Sequence, residues 1–457
     1  MFITSALISI FFILFFSWHK RKKIDSEETY LLAGKNTKLF PLVATLVMTE
    51  LNPSTLIAFS GAGYYAGIWA LMLPLVFLVG LGFYAFTVAK KWKQWDGYSV
   101  ADVFTKRYGL FMGRVASSLL LVAMVGFTAT YIKAMFLIFS PLFPIFSQWQ
   151  LTIIILGIVL FLNLKGGLSS IIRTDLFSFF AVLILLPIVL LFSYFKSGAL
   201  LAPILNDQAI MDGTNILSVR FLISLVLLTM FTYIAAPWYG QKIVSSDSKE
   251  TAKKAVMMSA VLVFLLYAFP ILSVVLYKSK IQSLTSGQDA YPLVLSQVLP
   301  DYLLGFAYVI LFAIGATTLS GVWSAQTTMV IGDFFTKKKD RKDTKRAYLI
   351  MVVFALFSYL AANLLVDQIL DKLILANIPI FALSFALLAG FYWEKASAIG
   401  AYISTLVGIV WGVFTYIYFG EENIYTFYWS VLGLPLIFGT GILFSYLFPR
   451  KDETILR

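Results

Sequence analysis

Glu50, Asn52, Ser54 and Thr55 crowd together inside an otherwise apolar run, LFPLVATLVMTELNPSTLIAFSGAGYYAGIW, at 39–69. One carboxylate, one carboxamide and two hydroxyls can bind a cation, hydrogen-bond a polar solute or carry a proton. Pro53 sits among them. It lacks an N–H and crowds the preceding turn, so the run is expected to form two half-helices rather than one continuous helix. Free carbonyls and amides at membrane depth are tolerated only where they face protein or line a cavity, and there they can hold an ion or a solute. The alternative is an ordinary proline-kinked helix whose Glu50 is satisfied internally.

A second polar group lies in FAYVILFAIGATTLSGVWSAQTTMVIGDFF, where Thr317 and Thr318 are followed by Ser320, Ser324, Thr327 and Thr328. Sodium is hard and weakly polarising, so it needs several oxygen ligands; neutral hydroxyls and broken-helix carbonyls can supply them. The same hydroxyls can instead bond to the preceding turn or help helices pack. Asp175, in LKGGLSSIIRTDLFS, enters another apolar run. A buried carboxylate must be paired, ion-bound or neutral, so Asp175 serves cation binding or gating, or a salt bridge with Arg173 or another loop cation. Lys133, in TATYIKAMFLIF, can snorkel to the surface or pair with Glu50 or an anionic solute group.

The elements that position these residues are membrane spans. Of 457 residues 60% are hydrophobic, 17% aromatic and 13% charged; one soluble core cannot hold that much apolar surface, whereas a polytopic membrane protein has lipid to cover it. The chain has no cysteine and a single histidine, His19, which excludes disulfides, thiolate metal sites and His-rich zinc or haem sites. No nucleophile–base arrangement and no Walker lysine motif is visible, which argues against an enzyme and against ATP-driven transport.

Hydropathy gives about thirteen spans, near 2–18, 40–63, 68–89, 114–139, 149–163, 170–195, 218–236, 254–276, 304–333, 345–364, 369–391, 397–419 and 428–448. All but six of the 35 Lys and Arg fall at connections that share one side if the N-terminus is outside; the exceptions are Lys133, Lys196, Arg220, Lys278, Lys280 and Lys372. The positive-inside rule then places the N-terminus outside and the C-terminus in the cytoplasm. The formal charge of +12 therefore reports topology, not a nucleic-acid footprint. Residues 2–18 read as a retained span, because their basic cluster follows the apolar core instead of preceding it. Pro237 interrupts TMFTYIAAPWYGQKIVSS much as Pro53 interrupts the earlier run, and two broken segments at similar spacing suggest an inverted repeat. SDSKETAKKA is expected as a polar amphipathic connector with Ser and Asp near its start. The last four spans read as scaffold.

Four stretches give the chain a wider resemblance: YLLAG at 30–34 leading into FSGAGYYAG at 59–67, LKGGLSSIIRTD at 164–175, DAYPLVLSQVLPDYLLG at 289–305 and ATTLSGVWSAQTTMVIGDFF at 316–335. In order and spacing they resemble the sodium/solute symporter family. The resemblance implies an all-α polytopic membrane protein with a LeuT-like 5+5 inverted-repeat core. It divides the chain into an extra helix and linker at 1–38, repeats at 39–217 and 218–392, and peripheral helices at 393–457. It implies a main sodium site at the backbone of Met48, Leu51 and Ile314 with the hydroxyls of Thr317 and Thr318. It further implies a second sodium at Asp175, Thr317 and Ser320, although Gly321 stands where another hydroxyl is expected. Asn52-Pro53 replaces a serine-alanine pair of many relatives, and Ser178 a frequent glutamine, so the solute pocket is expected to be atypical. Its expected lining is Glu50, Asn52, Ser54, Thr55 and Lys133, with Tyr233 or Trp238 from the other broken segment.

The expected function is sodium-coupled uptake of a small polar solute by alternating access, in a multi-pass protein of the cell membrane that works as a monomer. Sodium bound between the first broken helix and the span of Thr317 favours the outward-open state and so raises solute affinity, a reciprocal coupling. The rivals are proton coupling through Glu50 or Asp175, and a non-transporting solute sensor or scaffold.

Overall fold

Backbone in lipid has no water to bond to, so each apolar run closes its hydrogen bonds within a helix. The computed structural model describes residues 35–95, 99–163, 167–198, 213–281, 284–335, 344–421 and 424–450. The first half carries α1 (Leu39–Glu50), α2 (Pro53–Ala66), α3 (Met72–Thr87), α4 (Leu110–Phe139), α5 (Gln148–Asn163) and α6 (Gly167–Ser197). Next come α7 (Val219–Tyr233), α8 (Pro237–Val244), α9 (Lys249–Tyr277) and α10 (Asp301–Phe334). The last third carries α11 (Thr344–Leu364), α12 (Ile369–Leu375), α13 (Ala398–Phe419) and α14 (Gly433–Leu447). The expected span 2–18, His19 and the YLLAG stretch lie outside the described residues.

Among the described residues nine helical stretches are long and apolar enough to cross a bilayer, ten when the bent pair α7–α8 counts as one. The protein is an all-α polytopic membrane protein. One of the nine, 53–87, joins α2 to α3; at 1.5 Å per residue it would run about 50 Å, well beyond a hydrocarbon core of about 30 Å. Gly67, with φ of +58°, ends α2 and interrupts the helical path between them.

Both expected breaks are present. Pro53 and Pro237 each stand in the first turn of the helix that follows the break, where the missing N–H is no loss and the fixed φ suits the helix. The chain bends by 48° between α7 and α8. Ser248 caps α9 by accepting from the Thr251 amide at 3.1 Å, as the polar connector predicts.

α9 packs against α1, α2, α3 and α6, while α10 packs against α4 and α6. Of the most apolar stretch of α10, 78% is buried, against 28% for 345–364 and for 425–447; α10 is therefore central and those two spans face outward. Close approach to α4 depends on Gly315, where a Cβ would meet Met135 Sδ at 2.5 Å. The span at 369–391 departs from the scaffold reading: it is split into Ile369–Leu375, Ile378–Ala382 and Ser384–Tyr392, and its first pieces reach the central cavity described below.

The two ends of the broken helices are tied differently. At the start of α1, Thr37 N donates to Ser245 O at 2.9 Å, Asp247 N donates to Thr37 O at 3.0 Å, and Lys38 pairs with Asp247 at 3.2 Å. Towards the other end, α2 touches the turn Gly287–Asp289 so closely that a Cβ on Gly61 would lie 2.8 Å from Gly287 O. Gly61→Ala is therefore expected to lower the thermal midpoint of the detergent-solubilised protein, by about 1–3 kcal/mol of overpacking. Gly82→Ala enters open space and serves as the control; equal midpoints for the two variants would show that the contact yields freely.

Candidate ion and solute site

The break between α1 and α2 is a backbone event. In a continuous helix the Asn52 amide would bond to Met48 O; here it donates to Glu50 O at 2.8 Å and to Tyr267 Oη at 3.2 Å. Pro53 has no amide to offer Thr49 O. The Thr55 amide, which would serve Leu51 O, bonds instead to Asn52 Oδ1 at 2.9 Å. Asn52 Nδ2 closes the loop on Glu50 O at 2.9 Å, and the Tyr267 hydroxyl also donates to that carbonyl. One asparagine and one tyrosine thus hold the gap open, leaving the Met48, Thr49 and Leu51 carbonyls without their helical donors.

α10 brings its hydroxyls to this gap. Thr318 Oγ1 lies 3.4 Å from Met48 O and 2.8 Å from Ile314 O; Thr317 Oγ1 lies 3.2 Å from Ile314 O. All four residues are buried. Met48, Ile314, Thr317 and Thr318 therefore converge as neutral oxygens, a donor set that suits a hard monovalent cation. Leu51 is fully buried at the same break.

Asp175, on α6, is buried and bonded elsewhere. Its Oδ2 accepts from Thr45 Oγ1 at 2.5 Å and from Lys242 Nζ at 3.0 Å. Its cation is therefore Lys242, from α8, and the distances tie it to neither Thr317 nor Ser320. Ser320 Oγ donates back to Ala316 O, and Gly321 faces open space.

A cavity lies beside the break, lined by Glu50, Asn52, Thr55, Tyr233 and Trp238. It offers about 70 Å³ to the centres of water-sized spheres; one water needs roughly 10–15 Å³ by that measure, so several waters or the head of a small solute fit. Tyr233 donates to Glu50 Oε2 at 2.5 Å, whereas the buried Glu50 Oε1 has no partner. Phe77 stacks edge-on against Tyr233, and Phe127 against Trp238. Leu370, Leu373 and Ile374 of α12 close one wall. Two expected residues are not brought in. Ser54 is buried outside the lining, and Lys133 donates to Gln148 Oε1 at 2.6 Å.

The profile of the sodium:solute symporter family matches residues 30–408. The chain belongs to that family. It is a secondary active transporter that couples sodium to a small solute by alternating access. The sodium/pantothenate symporter of Haemophilus influenzae is 22% identical over 97% of this chain and 94% of its own length; that of Escherichia coli is 24% identical over 88% and 87%. Among solved structures, a substrate-bound, outward-open Na+-coupled sialic acid symporter superposes with a TM-score of 0.83 at 16% identity, covering 99% of this chain and 98% of that one. A nucleobase-cation-symport-1 family transporter in a closed conformation gives 0.60 at 12%, covering 92% and 96%. The fold of this symporter is accordingly LeuT-like.

Sequence reasoning missed Lys242, Thr45 and Tyr267. Lys242 reads as one more loop cation because it follows Pro237 by five positions; only the packing of α8 against α1 buries it. Tyr267 has no signal beyond lying within an apolar span. In this symporter its hydroxyl serves two backbone groups at the break, so Tyr267→Phe is expected to cost about 1–3 kcal/mol through orphaned buried polar groups, read as a lower thermal midpoint. An unchanged midpoint would show that Asn52 alone maintains the break.

Proposed function

We propose that the transported sodium binds between α1 and α10, at the carbonyls of Met48, Leu51 and Ile314 and the hydroxyls of Thr317 and Thr318. The observation that carries this is the Thr318 hydroxyl standing 3.4 Å from a Met48 carbonyl that has lost its helical donor. A cation there joins the two helices by coordination in one state and releases them when the site opens, which is how ion occupancy biases a rocking equilibrium.

The solute binds in the adjacent cavity against Glu50, Asn52, Thr55, Tyr233 and Trp238, with Ser54 supporting the wall from behind. Pantothenate and sialic acid, named for the relatives, are carboxylates. Glu50 is the only acidic or basic residue among those lining this cavity, and its unpartnered Oε1 calls for a hydrogen-bond donor or a cationic group on the solute. The topology that accompanies this reading has thirteen spans, N-terminus outside and C-terminus in the cytoplasm, with repeats at 39–217 and 218–392 flanked by 1–38 and 393–457. The protein acts as a monomer in the cell membrane.

Thermal unfolding of the purified protein in sodium, potassium and choline at equal ionic strength tests the ion site without a known solute. A ligand that prefers the folded state stabilises it by mass action, about 2.7 kcal/mol at a hundredfold excess over Kd. A saturable rise specific to sodium is expected in the wild type and is absent from Thr317→Ala/Thr318→Ala. The same sodium response in the double variant would sink the assignment. A response to pH alone, abolished by Glu50→Gln, would transfer the coupling to a proton.

A further inference from the structure

Lys242 and Asp175 form the most deeply buried ion pair among the described residues, with side chains 4% and 1% exposed. Removing two charges from water costs several kcal/mol per ion and is recovered only with good geometry and further hydrogen bonds. The geometry here is complete on the lysine side. An ammonium has three N–H donors, and three oxygens accept them: Asp175 Oδ2 at 3.0 Å, Thr45 O at 3.0 Å and Thr49 Oγ1. Thr45 Oγ1 and Thr49 Oγ1 complete the nest by donating to Asp175 Oδ2 at 2.5 Å and to Thr45 O at 2.6 Å.

A carboxylate, a backbone carbonyl and a hydroxyl gathered from two helices are also the ligands that a hard monovalent cation takes. The nest belongs to α1 and α6, and the ammonium arrives from α8. The cation is thus carried on the half-helix α8 and its ligands on α1 and α6. We propose that Lys242 is a tethered cation filling a monovalent-cation site at Asp175, so that the transporter loads one free sodium where Asp175 would otherwise take a second. The inference deepens the sodium reading above and rests on it for the first ion. It assigns the side chain of Lys242 to the stoichiometry of coupling.

Radioactive sodium bound per chain at saturation, measured on the purified full-length protein, tests it. The wild type is expected to bind one sodium, Lys242→Ala two, and Lys242→Ala/Asp175→Asn one again. Two sodium ions on the wild type, or no added ion in Lys242→Ala, would overturn the proposal. Should Lys242→Ala not fold, Asp175→Asn/Lys242→Gln decides, since it keeps neutral partners in the nest. One sodium at wild-type affinity supports a nest that holds no free ion; affinity lowered tenfold or more would make Asp175 a ligand of the transported sodium and end the idea. Failure of the Thr317–Thr318 reading is separable: a wild type that binds no sodium while Lys242→Ala binds one keeps the tethered cation and discards the first site, and no sodium on either protein discards both.

Discussion

The amide that Pro53 lacks organises the centre of this transporter, because hydrocarbon offers a freed carbonyl no substitute for a lost helical bond. Three donors are diverted or absent between α1 and α2: Asn52 turns to Glu50 O, Pro53 has none, and Thr55 turns to Asn52 Oδ1. The carbonyls left over must face protein or an ion. The Thr318 hydroxyl of α10 meets the first of them, and the cavity opens beside Thr49. The proposed ion site and the cavity are neighbours because both draw on the same interrupted helix.

Charge is handled separately from that break. Asp175 and Lys242 neutralise one another at the junction of α1, α6 and α8, whereas Glu50 keeps one oxygen on Tyr233 and the other unpartnered. A buried pair whose hydrogen bonds are satisfied is inert towards a solute; a carboxylate with a free oxygen beside a cavity is available to one. Lys133 is engaged by Gln148 and leaves the cavity without a positive counterweight.

The ties at the two ends of the broken helices fit a rocking mechanism. α1 and α8 are joined by a short backbone ladder and by Lys38–Asp247. α2 meets the Gly287 turn through close van der Waals contact at Gly61 and through the Tyr65 hydroxyl, which accepts from the Gly287 amide at 2.9 Å. One end is held by backbone bonds and a partly exposed ion pair, the other by a tyrosine hydroxyl and close steric fit.

The order of residues along the chain was enough to establish a polytopic helical membrane protein, two proline-broken segments, and the Thr317–Thr318 pair, because hydropathy, proline and hydroxyl chemistry are local properties. Family membership was legible too, since four spaced motifs carry it. Partnership was not legible. Asp175 had several cations to choose from, and only the docking of α8 onto α1 selected Lys242; Lys133 looked equally able to reach Glu50 until α5 brought Gln148 beside it. The 369–391 span read as scaffold because its residues are apolar, yet its first pieces wall the cavity. Which buried groups meet is decided by helix packing, and hydrophobic patterning that marks every span alike carries no record of it.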